Sequence, residues 1–311
     1  MIEVENVTKH YGKHLALDNI SFKLNEGDIL GFLGSNGAGK STTMNIITGY
    51  ISSDSGTVKI NGHDILEEPL EAKKNIGYLP EVPPLYNDMT VEKYLEFMYR
   101  LKKVRKPMKE HIKEICEMVQ IDDVSDRIIK NLSKGYKQRV GIAQALIGYP
   151  PVLILDEPTS GLDPAQIIEI RKLIRDLGKK HTVILSSHVL SEVQAVCDKI
   201  LVINNGKIVA DGDTESLTKL GSETRKIKIV AEGREQNLYS VLKSVDRVTE
   251  VKKMGEAEKG CYEFIVESTA DVRRAVSKAI ARADGIILLM QPEGRSLEET
   301  FLNIISGNEE V

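Results

Sequence analysis

Nine residues, Gly34, Ser35, Asn36, Gly37, Ala38, Gly39, Lys40, Ser41 and Thr42, fit the pattern Gly, four residues, Gly-Lys and Ser or Thr. An apolar run at Ile29–Leu33 precedes them, with the character of a buried strand. A helix start follows, with Met44, Ile46 and Ile47 spaced along residues 41–48. Strand, glycine loop and helix form the context in which the pattern has a physical meaning. Glycines let the backbone approach closely, so successive N–H groups can point at phosphate oxygens. The helix N-terminus adds roughly half a positive charge at the same place. In such a loop Lys40 reaches the β- and γ-phosphates and the Ser41 hydroxyl holds Mg²⁺.

The 311 residues suggest about two domains by length. With 41% apolar and 28% charged residues of mixed sign, the chain can bury a core and stay soluble. A formal charge of -4 gives no reason to expect a nucleic-acid partner. No apolar run approaches the roughly 18 residues of a spanning helix. The first residues lack a signal-peptide profile. Cys116, Cys197 and Cys261 are widely separated and have no metal-binding spacing, so they read as buried, reduced thiols. Together these features make the cytosol the expected compartment.

Residues 2–7 alternate apolar and polar, and 16–24 carry Leu17, Ile20, Phe22 and Leu24, so both read as strands. Tyr11, between them, is either a ring for stacking on a base or a half-buried turn aromatic; spacing does not separate the two. Short strands are expected at 57–60 and 76–79, the second running into a polar loop at Glu81. Thr90 is placed to cap a helix carrying Tyr94, Leu95, Phe97, Met98 and Leu101. The basic run Lys102, Lys103, Arg105, Lys106 reads as a solvated helix end, with attraction to a membrane surface as the competing reading. Ile112, Ile115, Cys116 and Val119 mark a further helix face, so residues from about 90 to 130 are mostly helical.

Leu132, Ser133, Lys134, Gly135 and Tyr136 open another helix, with Ser133 as its N-cap. Residues 152–155 are apolar on both faces, as in a parallel sheet, and end in Asp156 and Glu157. Open α/β sheets bind ligands at the carboxyl ends of such strands, whereas a capping turn before Pro158 is the plainer reading of the pair. Ser160, Gly161, Leu162 and Asp163 turn into a long amphipathic helix. A buried strand at 182–185 leads to Ser186, Ser187 and His188. A lone histidine is usually structural, but this one occupies the same sheet end as Asp156.

Strand 200–203 and strand 208–210 complete a first domain at 1–212. A polar linker occupies 213–224, and a small α/β domain occupies 225–311. Its elements read βαββαβ, the ferredoxin-like order, followed by a terminal helix at 296–305. No glycine-rich loop or catalytic cluster is visible there, and a packing or regulatory role is the expectation.

Six motifs in order carry a resemblance over residues 1–212. They are the phosphate loop, Glu81, residues 132–136, Asp156-Glu157, residues 160–163 and His188. The chain resembles the ATP-binding subunit of an ABC transporter. That implies an α/β fold, a P-loop NTPase ABC ATPase domain with a helical subdomain at about 90–146, ahead of the small ferredoxin-like α+β domain. It implies two subunits facing head to tail, each ATP lying between the phosphate loop of one and the 132–136 segment of the other. By this resemblance Tyr11 stacks on adenine, residues 34–42 hold the phosphates, and Ser41, Asp156 and Glu81 hold Mg²⁺. Glu157 activates water, His188 contacts the γ-phosphate, Ser133 and Gly135 complete the partner's site, and Asp163 reaches across the dimer. Glu81 stands where the family usually has Gln, and Lys134 and Tyr136 depart from Leu-Ser-Gly-Gly-Gln. These variants resemble an exporter branch with separate ATPase and membrane subunits, including those named for gliding motility, sodium export and drug resistance. The expected partners are a membrane-spanning permease, docked near Pro83, Pro84, Leu85 and Tyr86, and a second, identical or paralogous ATPase subunit. The expected place is the cytoplasmic face of the membrane. The competing class is a soluble ABC ATPase acting on ribosomes or DNA.

Overall fold

In the computed structural model, residues 2–213 and 225–292 are described, and they fall into two compact units that divide near residue 214. In the first unit, the strand β1 (Ile2–Tyr11) pairs with β2 (His14–Leu24) and β4 (Ser55–Ile60), and a short β5 (His63–Asp64) completes an antiparallel sheet in the order β2-β1-β4-β5. A second sheet combines β3 (Ile29–Leu33), β6 (Ile76–Leu79), β7 (Val152–Asp156), β8 (Thr182–Ser187), β9 (Lys199–Asn204) and β10 (Lys207–Asp213). Its order is β10-β9-β3-β8-β7-β6, parallel except for the β10 edge. Every residue of β3, β7 and β8 is buried, because a parallel sheet is covered on both faces. One core joins the two sheets around α1 (Lys40–Ile47). Phe22 and Phe32 meet there with ring centroids 5.8 Å apart, and Met44 and Ile47 are fully buried.

The helical part holds α3 (Val91–Leu101), α4 (Met108–Val119) and α5 (Lys134–Leu146); the short α2 (Pro69–Lys74) lies earlier in the chain. Thr90 caps α3 by accepting a bond from the Lys93 amide, and Ser133 caps α5 by accepting from the Tyr136 amide. Val91, Tyr94 and Leu95 are buried on α3, but Phe97 and Leu101 are exposed, with Phe97 edge-on to Tyr86 at 5.4 Å. The basic run is also not uniformly solvated. Lys102 turns inward and its Nζ donates to the carbonyls of Gln144, Ala145 and Ile147 at the end of α5. Carbonyls left unpaired at a helix C-terminus favour a cation, which explains the inward turn. After α5 come α6 (Pro164–Gly178) and α7 (Leu190–Val196).

The second unit contains β11 (Arg225–Glu232), α8 (Glu235–Lys243), β12 (Val248–Glu258), β13 (Cys261–Ser268), α9 (Arg273–Arg282) and β14 (Ile286–Pro292). Its sheet order β12-β13-β11-β14, antiparallel throughout, is the ferredoxin-like arrangement expected from the element order. Phe264, Val266, Ile229, Val276 and Ile280 form its core. The helix expected at 296–305 lies outside the described residues. Cys116, Cys197 and Cys261 are free and buried. No helix among the described residues is long and apolar enough to cross a membrane.

Candidate functional site

The sheet order brings four loops side by side, because β3, β8, β7 and β6 are consecutive parallel neighbours. Register sets their ends level: Leu33 lies opposite Ser187, Asp156 opposite Ser186, and Leu79 opposite Leu155. The phosphate loop, His188, Glu157 and Glu81 therefore leave the same sheet edge.

The loop after β3 depends on two glycines. A Cβ on Gly34 would sit 2.5 Å from the Ile203 carbonyl oxygen, so nothing larger fits without moving backbone. Gly39 has φ 116°, in the left-handed region, and turns the chain into α1. Ala38 and Gly39 are buried, whereas Ser35, Asn36, Gly37 and Ser41 are exposed around the N-terminus of α1, with Thr42 half-buried. Lys40 is the first helical residue and only 6% exposed. Its Nζ donates to the Gly34 carbonyl at 2.8 Å and the Ser35 carbonyl at 3.3 Å, and lies 3.5 Å from Glu157 Oε1.

Asp156 and Glu157 are buried at the end of β7. Asp156 accepts a short hydrogen bond from the Ser186 hydroxyl. Glu157 has φ 47°, a conformation that a non-glycine residue holds only under tertiary constraint. Its amide donates to the Ser186 carbonyl at 3.2 Å and the Ser186 hydroxyl at 3.0 Å, which supplies that constraint. Glu157 Oε2 lies 2.9 Å from His188 Nδ1, and the His188 side chain is 47% exposed. Glu157 Oε1 is buried without a hydrogen-bond partner, although Lys40 faces it at 3.5 Å. An orphaned carboxylate oxygen beside a lysine and an anion-binding loop fits a site that receives a water and a phosphate. The Tyr78 phenol on β6 is pushed up, first by burial and then by the Asp156 charge, so it stays a neutral hydroxyl beside the acid.

Ser133, Gly135 and Asp163 form a separate group. Asp163 caps α6 by accepting from the Gln166 amide at 3.0 Å. The Gln166 side chain packs on Gly135, where a Cβ would lie 2.8 Å from its Cδ. Lys134 spans to the turn after Glu157: its ammonium occupies the space that a Cβ on Gly161 would need. The Tyr136 hydroxyl donates to Asp123 at 2.9 Å, and this bond raises the phenol's pKa. Thus Lys134 and Tyr136 each make a contact within this chain. Among the described residues, no hydrogen bond or ion pair joins Ser133 or Gly135 to the phosphate loop of the same chain. Glu81 is exposed two residues beyond β6. Tyr11 is the last residue of β1 rather than part of a turn, is 49% exposed, and has Lys9 Nζ 6.0 Å from its ring centre.

Four residues at the site were not marked as functional by the sequence: Ser186, Ser187, Thr159 and Glu192. Ser187 and Thr159 both donate to the Glu192 carboxylate, at 2.9 and 2.5 Å. Two adjacent hydroxyls at the end of an otherwise apolar strand were the available signal.

No group of three or more His, Cys, Asp or Glu side chains suited to a metal occurs among the described residues. Mg²⁺ commonly takes one or two protein oxygens with substrate phosphates and water. Exposed Ser41 in the first turn of α1 and buried Asp156 at the end of β7, both at the same sheet edge, are a donor set of that kind.

Comparison with known proteins agrees with this geometry. The ABC transporter family profile matches residues 17–160. The chain is 34% identical to the linearmycin resistance ATP-binding protein LnrL of Bacillus subtilis, over 98% of each chain. It is 38% identical to the bacitracin transport ATP-binding protein BcrA of Bacillus licheniformis, over 70% of this chain and 72% of that one. A solved dimeric, post-hydrolysis structure of the ATP-binding cassette MJ0796 with ADP and Pi superposes with a TM-score of 0.62 at 25% identity, covering 68% of this chain and 98% of that one. With this fold, this loop edge and relatives matching it end to end, the chain belongs to the ATP-binding proteins of ABC transporters and is an ATPase.

Proposed function

We propose that this chain is the ATP-hydrolysing subunit of an ABC exporter. It pairs head to tail with a second ATPase subunit and drives a separate membrane-spanning permease from the cytoplasmic face. The observation that carries the catalytic part is the convergence of Lys40 and His188 on Glu157, whose Oε1 is buried beside the Lys40 ammonium and accepts no hydrogen bond. The relatives named for linearmycin resistance and bacitracin transport support the export reading. Val82, 79% exposed, and Tyr86, 54% exposed, form an apolar surface beyond Glu81 of the kind a permease would cover.

Phosphoryl transfer asks a protein for positioning and charge stabilisation rather than covalent chemistry. The exposed amides of residues 35–37 and the N-terminus of α1 face the phosphates, and Lys40 exchanges its carbonyl bonds for phosphate oxygens. Ser41 and Asp156, with Glu81, would hold Mg²⁺, which would supply charge neutralisation on the phosphates. Glu157 orients and deprotonates the attacking water. His188, held on Glu157 Oε2, keeps that carboxylate directed and offers its other ring nitrogen to the γ-phosphate. Tyr11 supplies a face for adenine. Ser133 and Gly135, at the N-terminus of α5, contribute to the partner's nucleotide, and Asp163 approaches the partner's phosphate loop. This accounts for the separation of Ser133 and Gly135 from their own phosphate loop: the site is completed by the second subunit.

Titration of the full chain with ATP by calorimetry tests the site. Lys40→Ala should weaken binding by about tenfold or more, since a charge-assisted bond to phosphate contributes roughly 1.5–3 kcal/mol. Unchanged affinity would remove Lys40 from the site. Purification from membranes tests the coupling: a multi-span protein should accompany the chain, and recovery from membranes without one refutes the permease assignment.

A further inference from the structure

Glu192 lies outside the phosphate-binding loops, yet it is only 7% exposed and sits in the first turn of α7. One of its oxygens, Oε2, accepts two hydroxyls. Thr159 donates at 2.5 Å, from the turn that begins at Glu157. Ser187 donates at 2.9 Å, from the residue before His188. Ser187 Oγ also accepts from the Val189 amide at 3.1 Å, so the hydroxyl is fixed on both sides of the histidine. Thr159 is 5% exposed and Ser187 fully buried, so water does not compete for these bonds.

We propose that Glu192 is a positioning residue for hydrolysis, clamping the Glu157 turn to the His188 loop through a single carboxylate oxygen. The proposal rests on the assignment of Glu157 and His188 to the reaction. The residue register between β7 and β8 ends at Asp156 and Ser186, and one further backbone bond, from the Glu157 amide to the Ser186 carbonyl, follows it. Beyond that point Glu157 adopts its left-handed conformation, and His188 leaves the sheet. Past this bond the 2.9 Å contact between Glu157 Oε2 and His188 Nδ1 depends on how the Glu157 turn and the His188 loop are held relative to each other. Ser186 holds the Glu157 side of the turn through the amide. Glu192 holds its far side and the histidine loop together. A side chain that only filled space would not need to bring two hydroxyls from different loops to one atom.

Because both donors use one oxygen, charge is not the requirement. Glu192→Gln keeps an acceptor and should retain most of the turnover, whereas Glu192→Leu keeps volume and loses it. In the full chain, Glu192→Leu should lower kcat for ATP by roughly ten- to hundredfold, the scale expected of a small misplacement of reacting groups. The ATP Kd should stay within about twofold of the wild type, because the phosphate loop is untouched. Thr159→Val, nearly isosteric, should move kcat in the same direction. A second readout is independent of activity. The Nδ1 resonance of His188 in ¹⁵N NMR should shift in Glu192→Leu and recover in Glu192→Gln, while those of buried His111 and His181 stay in place. An unmoved His188 resonance, or a kcat in Glu192→Leu equal to the wild type, overturns the clamp. A shifted resonance in a chain that does not hydrolyse ATP at all would support the clamp and refute the assigned reaction instead.

Discussion

Replacing Glu157 with glutamine removes a charge while keeping the shape of a side chain that is only 6% exposed. The amide oxygen can still accept from His188, so the contact now 2.9 Å long need not break. The variant loses the ability to take a proton from water, and general-base assistance typically contributes about 10²–10⁴ in rate. At about 1.4 kcal/mol per factor of ten, that is roughly 3–5 kcal/mol on the barrier. Binding should respond differently. Lys40 Nζ lies 3.5 Å from Glu157 Oε1. Coulomb's law with an effective dielectric of about 20 gives roughly 5 kcal/mol of attraction at that distance, much of it offset by desolvation. Whatever attraction remains holds Lys40 away from phosphate, and the Glu157 charge repels the γ-phosphate. Glu157→Gln should therefore bind ATP at least as tightly as the wild type and accumulate as an ATP-bound dimer. The assay combines steady-state hydrolysis, calorimetric ATP titration and size-exclusion chromatography with Mg²⁺-ATP. Turnover within about threefold of the wild type would refute the role of Glu157, because no general base sits so low on that scale. Loss of ATP binding would refute the account of Lys40.

Burial pulls the Lys102 ammonium down to about 8 in the folded protein, against 10.5 in the unfolded chain. The unfolded state then binds the extra proton between these values, so the Lys102 contribution makes stability rise from pH 8 towards 10.5. Thermal melts across that range should show this rise in the wild type relative to Lys102→Gln, and parallel curves would refute it. Tyr11→Ala separates the two readings of that ring: stacking on adenine predicts an ATP affinity weaker by roughly 1–3 kcal/mol, as for base–aromatic contacts elsewhere. An unchanged calorimetric Kd would leave Tyr11 a strand-end aromatic.

The amino-acid sequence alone determined the features that depend on local chemistry. The all-apolar runs at β3 and β7 read as buried strands, and the hydroxyls of Thr90 and Ser133 read as helix caps, because strand burial and capping are written in a few adjacent residues. The glycine pattern of residues 34–39 announced a phosphate loop, since glycine adopts the positive φ of Gly37 and Gly39 without steric cost and leaves room for the close approach of Gly34 to Ile203. The βαββαβ order of the second unit was likewise visible in alternation and periodicity. Short elements escaped. Neither β5, two residues long, nor α2, six residues long, provides enough of a period to detect.

Tertiary structure decided what depends on distant residues meeting. Lys102 belongs to a basic run that reads as solvated, and its inward turn follows from the carbonyls of Gln144, Ala145 and Ile147 that its ammonium meets at the end of α5. Phe97 has the spacing of a core residue yet faces outward, because the inner face of α3 is already filled by Val91, Tyr94 and Leu95. Glu157 and His188 stand 31 positions apart and become partners only because β7 and β8 are neighbours in register. Glu192 carries no motif of its own; its place follows from two hydroxyls, 28 residues apart in Thr159 and Ser187, arriving at one oxygen. A loop pattern is local because backbone conformation is local. A catalytic arrangement is not, because sheet order sets which strand ends lie side by side.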